Sequence, residues 1–244
     1  MPLRPPLLPA HVSARLHALA DAWLPRACGL CRGRLAGQEA GLCVHCLDHL
    51  PGRDSTRCRV CGLRARRRAP QCDDCSAEPP AFDRTVALAD YAPPLDRLVL
   101  ALKFGGQHGL AHGIGGLLAA RLAALHPGPV DRIVPVPLSD ARLAARGYNQ
   151  AGALAAAVAR RHRAPLDTTL LRRVRATAAQ SGLPLLRRHA NLSGAMRATR
   201  PCAGAHIVLV DDVMTTGATL SACAAVLKDA GAAAVINLVV ARTD

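Results

Sequence analysis

The stretch VLVDDVMTTGATL, from Val208 to Leu220, sets two adjacent carboxylates, Asp211 and Asp212, directly before a turn rich in hydroxyls and glycine. The backbone amides of Thr215, Thr216, Gly217, Ala218 and Thr219, at a turn that Gly217 permits and that feeds a helix N-terminus, form a cradle suited to a terminal phosphate. The hydroxyls of Thr215, Thr216 and Thr219 add donors. Asp211 and Asp212 would repel a phosphate, but they accept hydrogen bonds from a vicinal diol. Phosphate and diol together describe a ribose 5-phosphate. The competing reading is an ordinary strand-to-helix turn with Asp and Thr caps.

A second set of residues points to metal chemistry. Eight of the ten cysteines fall as Cys28/Cys31, Cys43/Cys46, Cys58/Cys61 and Cys72/Cys75, each pair with two residues between its members. That spacing lets a tight turn present both sulfurs to one tetrahedral Zn²⁺, and two such knuckles close a structural site. Four knuckles make two sites. Pairing in sequence order would join Cys28, Cys31, Cys43 and Cys46 on one ion and Cys58, Cys61, Cys72 and Cys75 on the other; interleaved pairing is the alternative. A disulfide framework would need an oxidising compartment. Few large apolar residues lie between Cys28 and Cys75, so metal binding is expected to supply that segment's folding free energy. Arg64 and the run Arg66 to Arg68 suit either a solvated loop or a contact with nucleic acid or protein.

A third candidate is the segment Pro137 to Gln150, where Arg142 and Arg146 could hold an anionic leaving group such as pyrophosphate with guanidinium forks. Their spacing puts them on one face of a helix. A solvated Arg pair is the plain alternative.

These groups need a frame. Short apolar runs at Thr85 to Ala89, Arg132 to Val136, His206 to Val210 and Ala234 to Ala241 read as strands. Between them, Leu95 to Phe104, Gly109 to Leu125, Gln150 to His162 and Ala218 to Ala230 read as helices. The alternation predicts an α/β fold, a parallel sheet flanked by helices, with ligands at the carboxyl ends of the strands. The candidate sites then lie just after Val210 and just after Val136. An N-terminal helix is expected within residues 1–25, the cysteine module over residues 26–78, a linker from Glu78 to Phe82, and the α/β domain over residues 83–244. Cys223, in an Ala-rich helical stretch, reads as a small buried residue.

Residues 131–200 carry +10 of the formal net charge of +14, and 29 of the 31 basic residues are Arg. Such concentration suits a polyanion, either a phosphorylated small molecule or a nucleic acid backbone. No apolar run reaches membrane-spanning length, which excludes a transmembrane helix. The N-terminus lacks a signal-peptide pattern, so a cytoplasmic location is expected.

The Asp-Asp and Thr-Gly pattern of Val208 to Leu220 resembles the phosphoribosyl pyrophosphate motif of type I phosphoribosyltransferases. The resemblance implies that Asp211 and Asp212 contact the ribose hydroxyls and that Thr215 to Thr219 bind the 5-phosphate, with Mg²⁺ on the pyrophosphate. Taken whole, the chain resembles the ComF family of competence-associated proteins, which join an N-terminal zinc ribbon to a phosphoribosyltransferase-like domain. The resemblance rests on the four Cys pairs, Leu102 to Phe104, Arg146 to Gln150, and Arg173 to Gly194. It implies a role in natural transformation, with handling of incoming single-stranded DNA. Two other roles stay open: an active phosphoribosyltransferase on a base or amine, and a zinc-ribbon adaptor for a competence helicase. An acid found in 6-oxopurine transferases is replaced here by Thr215, and the sequence shows no nucleobase hood.

Overall fold

The computed structural model describes residues 27–35, 41–65, 69–104, 108–174 and 194–243. Its helices are α1 (Val44–Asp48), α2 (Asp73–Ala77), α3 (Leu95–Phe104), α4 (His108–Leu125), α5 (Asp140–Arg146), α6 (Gln150–His162) and α7 (Ala218–Asp229). Its strands are β1 (Arg84–Asp90), β2 (Arg132–Pro135), β3 (Leu171–Arg173), β4 (Met196–Ala198), β5 (His206–Met214) and β6 (Ala234–Arg242). Four of them form one parallel sheet in the order β1-β6-β5-β2, so the predicted α/β architecture with flanking helices is the one observed.

The strands are apolar on both faces because both faces are covered. On one face Val208, Val210, Ile236, Leu238 and Val240 pack beneath α3, α4 and α6, through Leu98, Leu102, Ile114, Leu118 and Leu154. On the other, Ile207, Leu209, Val235 and Val239 pack against α7 through Leu220, Ala224 and Leu227. Cys223 is fully buried there, as expected. Each such Val, Leu or Ile side chain contributes about 1.5–3 kcal/mol on burial. Residues 207 to 210 and 235 to 240 thus hold the ends of β5 and β6 rigidly side by side.

Two expectations change. The strand predicted to stop at Val210 continues to Met214, because Asp211, Val213 and Met214 pair in register with Val239, Ala241 and Arg242. Asp is a poor strand former, but a ready-made parallel neighbour supplies its backbone partners. The two acids therefore stand on the strand, ahead of the turn.

The cysteine segment also has a core after all, shared with the α/β domain. Cys28, Leu42 and Leu50 are buried in the cluster that holds α3 and α4, whereas Cys58, Cys61 and Cys75 are buried in the cluster around Phe82, Met214 and α7. Counting apolar residues within the segment missed this, because the partners lie far away in sequence. Backbone bonds add to the attachment: Thr85 N donates to Arg59 O at 3.0 Å and Asp90 N to Pro51 O at 2.7 Å. At the same edge Asp90 forms ion pairs with Arg57 and Arg64. The expected N-terminal helix of residues 1–25 and the run Arg66 to Arg68 lie outside the described residues. A short antiparallel pair, β3 with β4, escaped the sequence reading; three residues each, rich in Arg, carry no periodic signal.

Candidate functional site

β5 delivers Asp211 and Asp212 at its carboxyl end, and the chain then turns through Thr215, Thr216 and Gly217 into α7. Gly217 takes φ of 80°, in the left-handed region that glycine enters without penalty. It is the N-cap of α7 and, as glycine, has no side chain with which to cap the helix. Thr216 Oγ1 lies 3.3 Å from Ala218 N and accepts from it. A hollow of about 40 Å³ opens at this turn, lined by Asp211 and by Val213 through Leu220. It therefore gathers all the predicted residues of this motif except Asp212.

Asp212 points inward instead. It is 5% exposed; its Oδ2 accepts from Gln150 Nε2 at 3.2 Å and lies 3.5 Å from Lys103 Nζ, while its Oδ1 accepts from Val213 N at 2.8 Å. Asp211, only partly open to solvent, accepts from Asp212 N at 2.8 Å. Burial and the adjacent Asp212 carboxylate push the Asp211 carboxyl well above the usual carboxylate range, against a smaller pull from Lys103. One acid is thus held by Lys103 and Gln150, and the other lines the hollow.

Arg142 and Arg146 share α5, as their spacing predicted; Ser139 caps its start and Gly147 its end. Arg142 is exposed, and its charge reaches Arg173, whose pKa is lowered by burial and then by Arg142. Tyr148 connects this helix to the acids. Burial raises its phenol pKa, while Arg146 lowers it and Asp212 raises it, which places both charges within electrostatic reach of one ring. The Tyr148 hydroxyl donates to Leu102 O. Asn149 Nδ2 donates to Val136 O at 3.1 Å and its Oδ1 accepts from Ala151 N, so one side chain ties the end of β2 to the start of α6.

The eight paired cysteines gather in sequence order: Cys28, Cys31, Cys43 and Cys46 in one cluster and Cys58, Cys61, Cys72 and Cys75 in the other, with all sulfurs of a cluster within 4.8 Å of one another. Sulfurs on a tetrahedral ion at about 2.3 Å stand about 3.8 Å apart. Cys31 and Cys43 are 3.8 Å apart, and Cys61 and Cys72 3.7 Å. Backbone amides already serve the sulfurs, Cys43 N donating to Cys28 Sγ at 3.4 Å and Cys72 N to Cys58 Sγ at 3.3 Å. Burial opposes ionisation of Cys28 and Cys58, but these and neighbouring amides together outweigh it and bring the thiols down to about 6 and about 7. Burial and the neighbouring sulfurs push Cys46 up to about 12. Such crowded thiols ionise together when a divalent cation binds, and both clusters could hold zinc.

Comparison with known proteins gives this arrangement a lineage. Residues 143–243 match the phosphoribosyl transferase domain family. The chain is 39% identical over 226 residues to the DNA utilization protein YhgH of Escherichia coli (strain K12), covering 90% of this chain and 98% of that one. It is 32% identical over 211 residues to Competence protein F of Haemophilus influenzae, covering 84% of this chain and 91% of that one. The chain belongs to the ComF family. Among solved structures, the glutamine phosphoribosylpyrophosphate amidotransferase from B. subtilis aligns with this ComF chain over 58% of its length and 30% of that one, at 18% identity and a TM-score of 0.39.

Lys103 and Gln150 were not read as site residues, although both reach Asp212. Each sits in a block through which the sequence resembles the ComF family, Leu102 to Phe104 and Arg146 to Gln150. Lys103 also carried a signal of its own as one of two lysines among 31 basic residues. Arg242 was missed altogether. It is 5% exposed, donates from Nε to Cys61 O at 2.9 Å and from Nη1 to Met214 O at 3.2 Å, and also reaches Thr215 O. One guanidinium thus joins the second cysteine cluster of this ComF chain to the turn after β5. Most of the stretch Arg173 to Gly194, which also carries the resemblance, lies outside the described residues. Among the described residues, no helix is long and apolar enough to cross a membrane.

Proposed function

We propose that this ComF-family chain binds the ribose 5-phosphate portion of phosphoribosyl pyrophosphate and serves in the handling of single-stranded DNA in the cytoplasm. The supporting observation is the joining of two acids at the end of a buried parallel strand to a Gly217 turn that leads into a helix with no side-chain cap. Thr215 through Thr219 would take the 5-phosphate on their amides and hydroxyls. Asp211 would accept from the ribose hydroxyls, with Asp212 held behind it by Lys103 and Gln150. Arg142 and Arg146 would face the pyrophosphate. Mg²⁺ carried with the pyrophosphate would offset part of its negative charge. Zinc would occupy both cysteine clusters as a structural ion, and the ribbon of residues 26–78 and the α/β domain of residues 83–244 would act as functional halves of one body.

The nucleic acid part of this reading draws on the names of the relatives, DNA utilization protein and Competence protein F, and on the +10 charge of residues 131–200. With five aromatic residues in the whole chain, base stacking is poorly supplied, so phosphate contacts should dominate. Affinity for single-stranded DNA should then fall steeply between about 0.05 and 0.2 M salt.

Calorimetric titration of phosphoribosyl pyrophosphate with Mg²⁺ into the zinc-loaded protein tests the sugar site. Binding to the native chain and its loss in an Asp211→Asn, Asp212→Asn double variant is the expected result. Equal binding by both proteins, or by neither, refutes it.

A further inference from the structure

The knuckle that carries Cys58 and Cys61 is fastened to the α/β domain at two points. Thr85 N on β1 donates to Arg59 O at 3.0 Å, and Arg242 Nε on β6 donates to Cys61 O at 2.9 Å. Both carbonyls lie within the span from Cys58 to Cys61, whose sulfurs are half of the second cluster. The same Arg242 side chain donates from Nη1 to Met214 O at 3.2 Å and to Thr215 O, where β5 gives way to the turn. Arg242 is 5% exposed, so water cannot readily replace an acceptor that moves away, and a buried guanidinium left short of one is costly. Cys61, Cys72 and Cys75 also line a cavity of about 600 Å³ together with Met214, Thr215 and Thr216, so cluster and turn face one shared space. The first ribbon is attached elsewhere, with Cys28 and Leu42 buried against α3 and α4.

We propose that zinc at the second cluster and a sugar phosphate at the turn after β5 bind cooperatively, each tightening the hold on the other through Arg242, while the ion of the first cluster is indifferent to the sugar. The inference rests on the ribose 5-phosphate reading and adds a means of regulating that site. With zinc bound, the Cys58 to Cys61 knuckle is closed and Cys61 O stands where Arg242 Nε meets it. Arg242 is then held in place, and its other nitrogen holds the carbonyls of Met214 and Thr215. Those carbonyls fix the path of the chain into Thr216 and Gly217, whose amides would face the phosphate. Without zinc the knuckle loses its closure, Cys61 O can leave, and the turn loses the support of the guanidinium. The coupling must run backwards by the same factor, because two sites that share one set of contacts are linked reciprocally. A phosphate seated on the turn therefore keeps Arg242 aligned and the second zinc in place. Removal of one structural ion would switch the sugar site off and spare the rest of the fold.

The test sets a chromophoric chelator against the zinc-loaded full chain and reads at equilibrium the zinc left on the protein, with and without ribose 5-phosphate at a concentration shown by calorimetry to saturate. One of the two ions should become about tenfold harder to remove, and the other should change by less than about twofold. Zinc binding by the free sugar phosphate would favour removal, so it cannot mimic this result. In Arg242→Met, saturated at higher ribose 5-phosphate, the protection should shrink to about twofold or less. Arg242→Lys keeps the charge but not the planar fork that spans both sets of carbonyls, and should lose the protection likewise, which serves if the Met variant does not fold. Should ribose 5-phosphate bind yet protect neither ion, protect both equally, or keep its protection in a folded Arg242 variant, the linkage is wrong while the sugar-phosphate site stands. If ribose 5-phosphate does not bind the native chain, both fall together.

Discussion

The two cysteine ribbons are near copies docked against different parts of the fold. Ala27 bridges Arg34 in the first and Arg57 bridges Arg64 in the second; Cys28 N donates to Gly33 O in one and Cys58 N to Leu63 O in the other, each at 2.8 Å. Both turns pass through a left-handed residue just after the second cysteine, at Arg32 with φ of 62° and at Gly62 with φ of 73°. What differs is the neighbour. The first ribbon buries Cys28 and Leu42 against α3 and α4, far along the chain from the candidate site, and its turn is exposed. The second lies over the ends of β1 and β6, with Gly62 buried and Cys61 bonded to Arg242. The same local sequence pattern can thus act as packing in one place and as the wall of a cavity in another, because its role follows from what the pattern is docked against.

Removing a ligand cysteine should expose that difference most strongly. Structural zinc contributes on the order of 10 kcal/mol to the folding of small metal-held modules, and breaking either cluster should cost one of two bound zinc ions. Cys28→Ser should lower the melting temperature while leaving ribose 5-phosphate affinity within about twofold, under 0.5 kcal/mol. Cys58→Ser should lower the melting temperature and abolish that affinity. Metal content, melting curves and calorimetry on the two variants decide it; equal loss of affinity in both would erase the functional distinction between the ribbons.

Arg242→Met sharpens the point without touching a metal ligand. The side chain keeps its apolar bulk but loses the bonds to Cys61 O, Met214 O and Thr215 O, leaving buried carbonyls without that donor. Zinc content should remain at two per chain, and ribose 5-phosphate affinity should drop about tenfold, or about 1.4 kcal/mol. An unchanged affinity would mean that the turn holds its shape without the ribbon.

A still finer contrast lies in the two left-handed turn residues. An added Cβ at Gly62 would meet Thr85 Cγ2 at 3.0 Å, on top of the strain of a left-handed alanine. Gly62→Ala should therefore cost about 1–2 kcal/mol. Arg32→Gly relieves a similar strain but frees the unfolded chain, and the exposed turn has no tight neighbour; the net change should stay within about 0.5 kcal/mol. Denaturant melts of both variants would show whether the second ribbon is the more tightly fitted.

Much of this was readable from residues alone, for identifiable reasons. Buried parallel strands are continuous apolar runs, so β2, β5 and β6 were visible, and Cys spacing is set by ligand geometry, so both clusters were visible. The turn at Gly217 was legible because a left-handed residue between a buried strand and a helix is most readily glycine. Arg242 and Phe82 were not, since their roles come from contacts with Cys61 and the turn after β5, up to 181 positions apart in sequence. The inward commitment of Asp212 was hidden likewise, because Lys103 and Gln150 approach it from two different helices. Sequence order could pair the cysteines only as one option of two, and it took the fold to bring Cys28 to Cys43 rather than to Cys58.

The smallest effect on stability concerns Asp211, which lines the small hollow at the turn after β5 and at which binding and stability should conflict. Burial and Asp212 raise the Asp211 pKa in the folded protein, so the folded state holds its proton to higher pH than the unfolded chain does. The stability this provides is complete below the unfolded carboxylate range and is lost as pH rises through the folded value, because there the native state must carry an ionised Asp211 next to Asp212. Asp211→Asn removes that charge at nearly constant shape. The variant should melt with the native chain in acid and above it at neutral pH, the gap opening as pH climbs through the Asp211 titration, while ribose 5-phosphate binding is lost. A variant less stable than the native chain at neutral pH would show that Asp211 contributes to the fold itself, and would overturn this account of strain between the two acids.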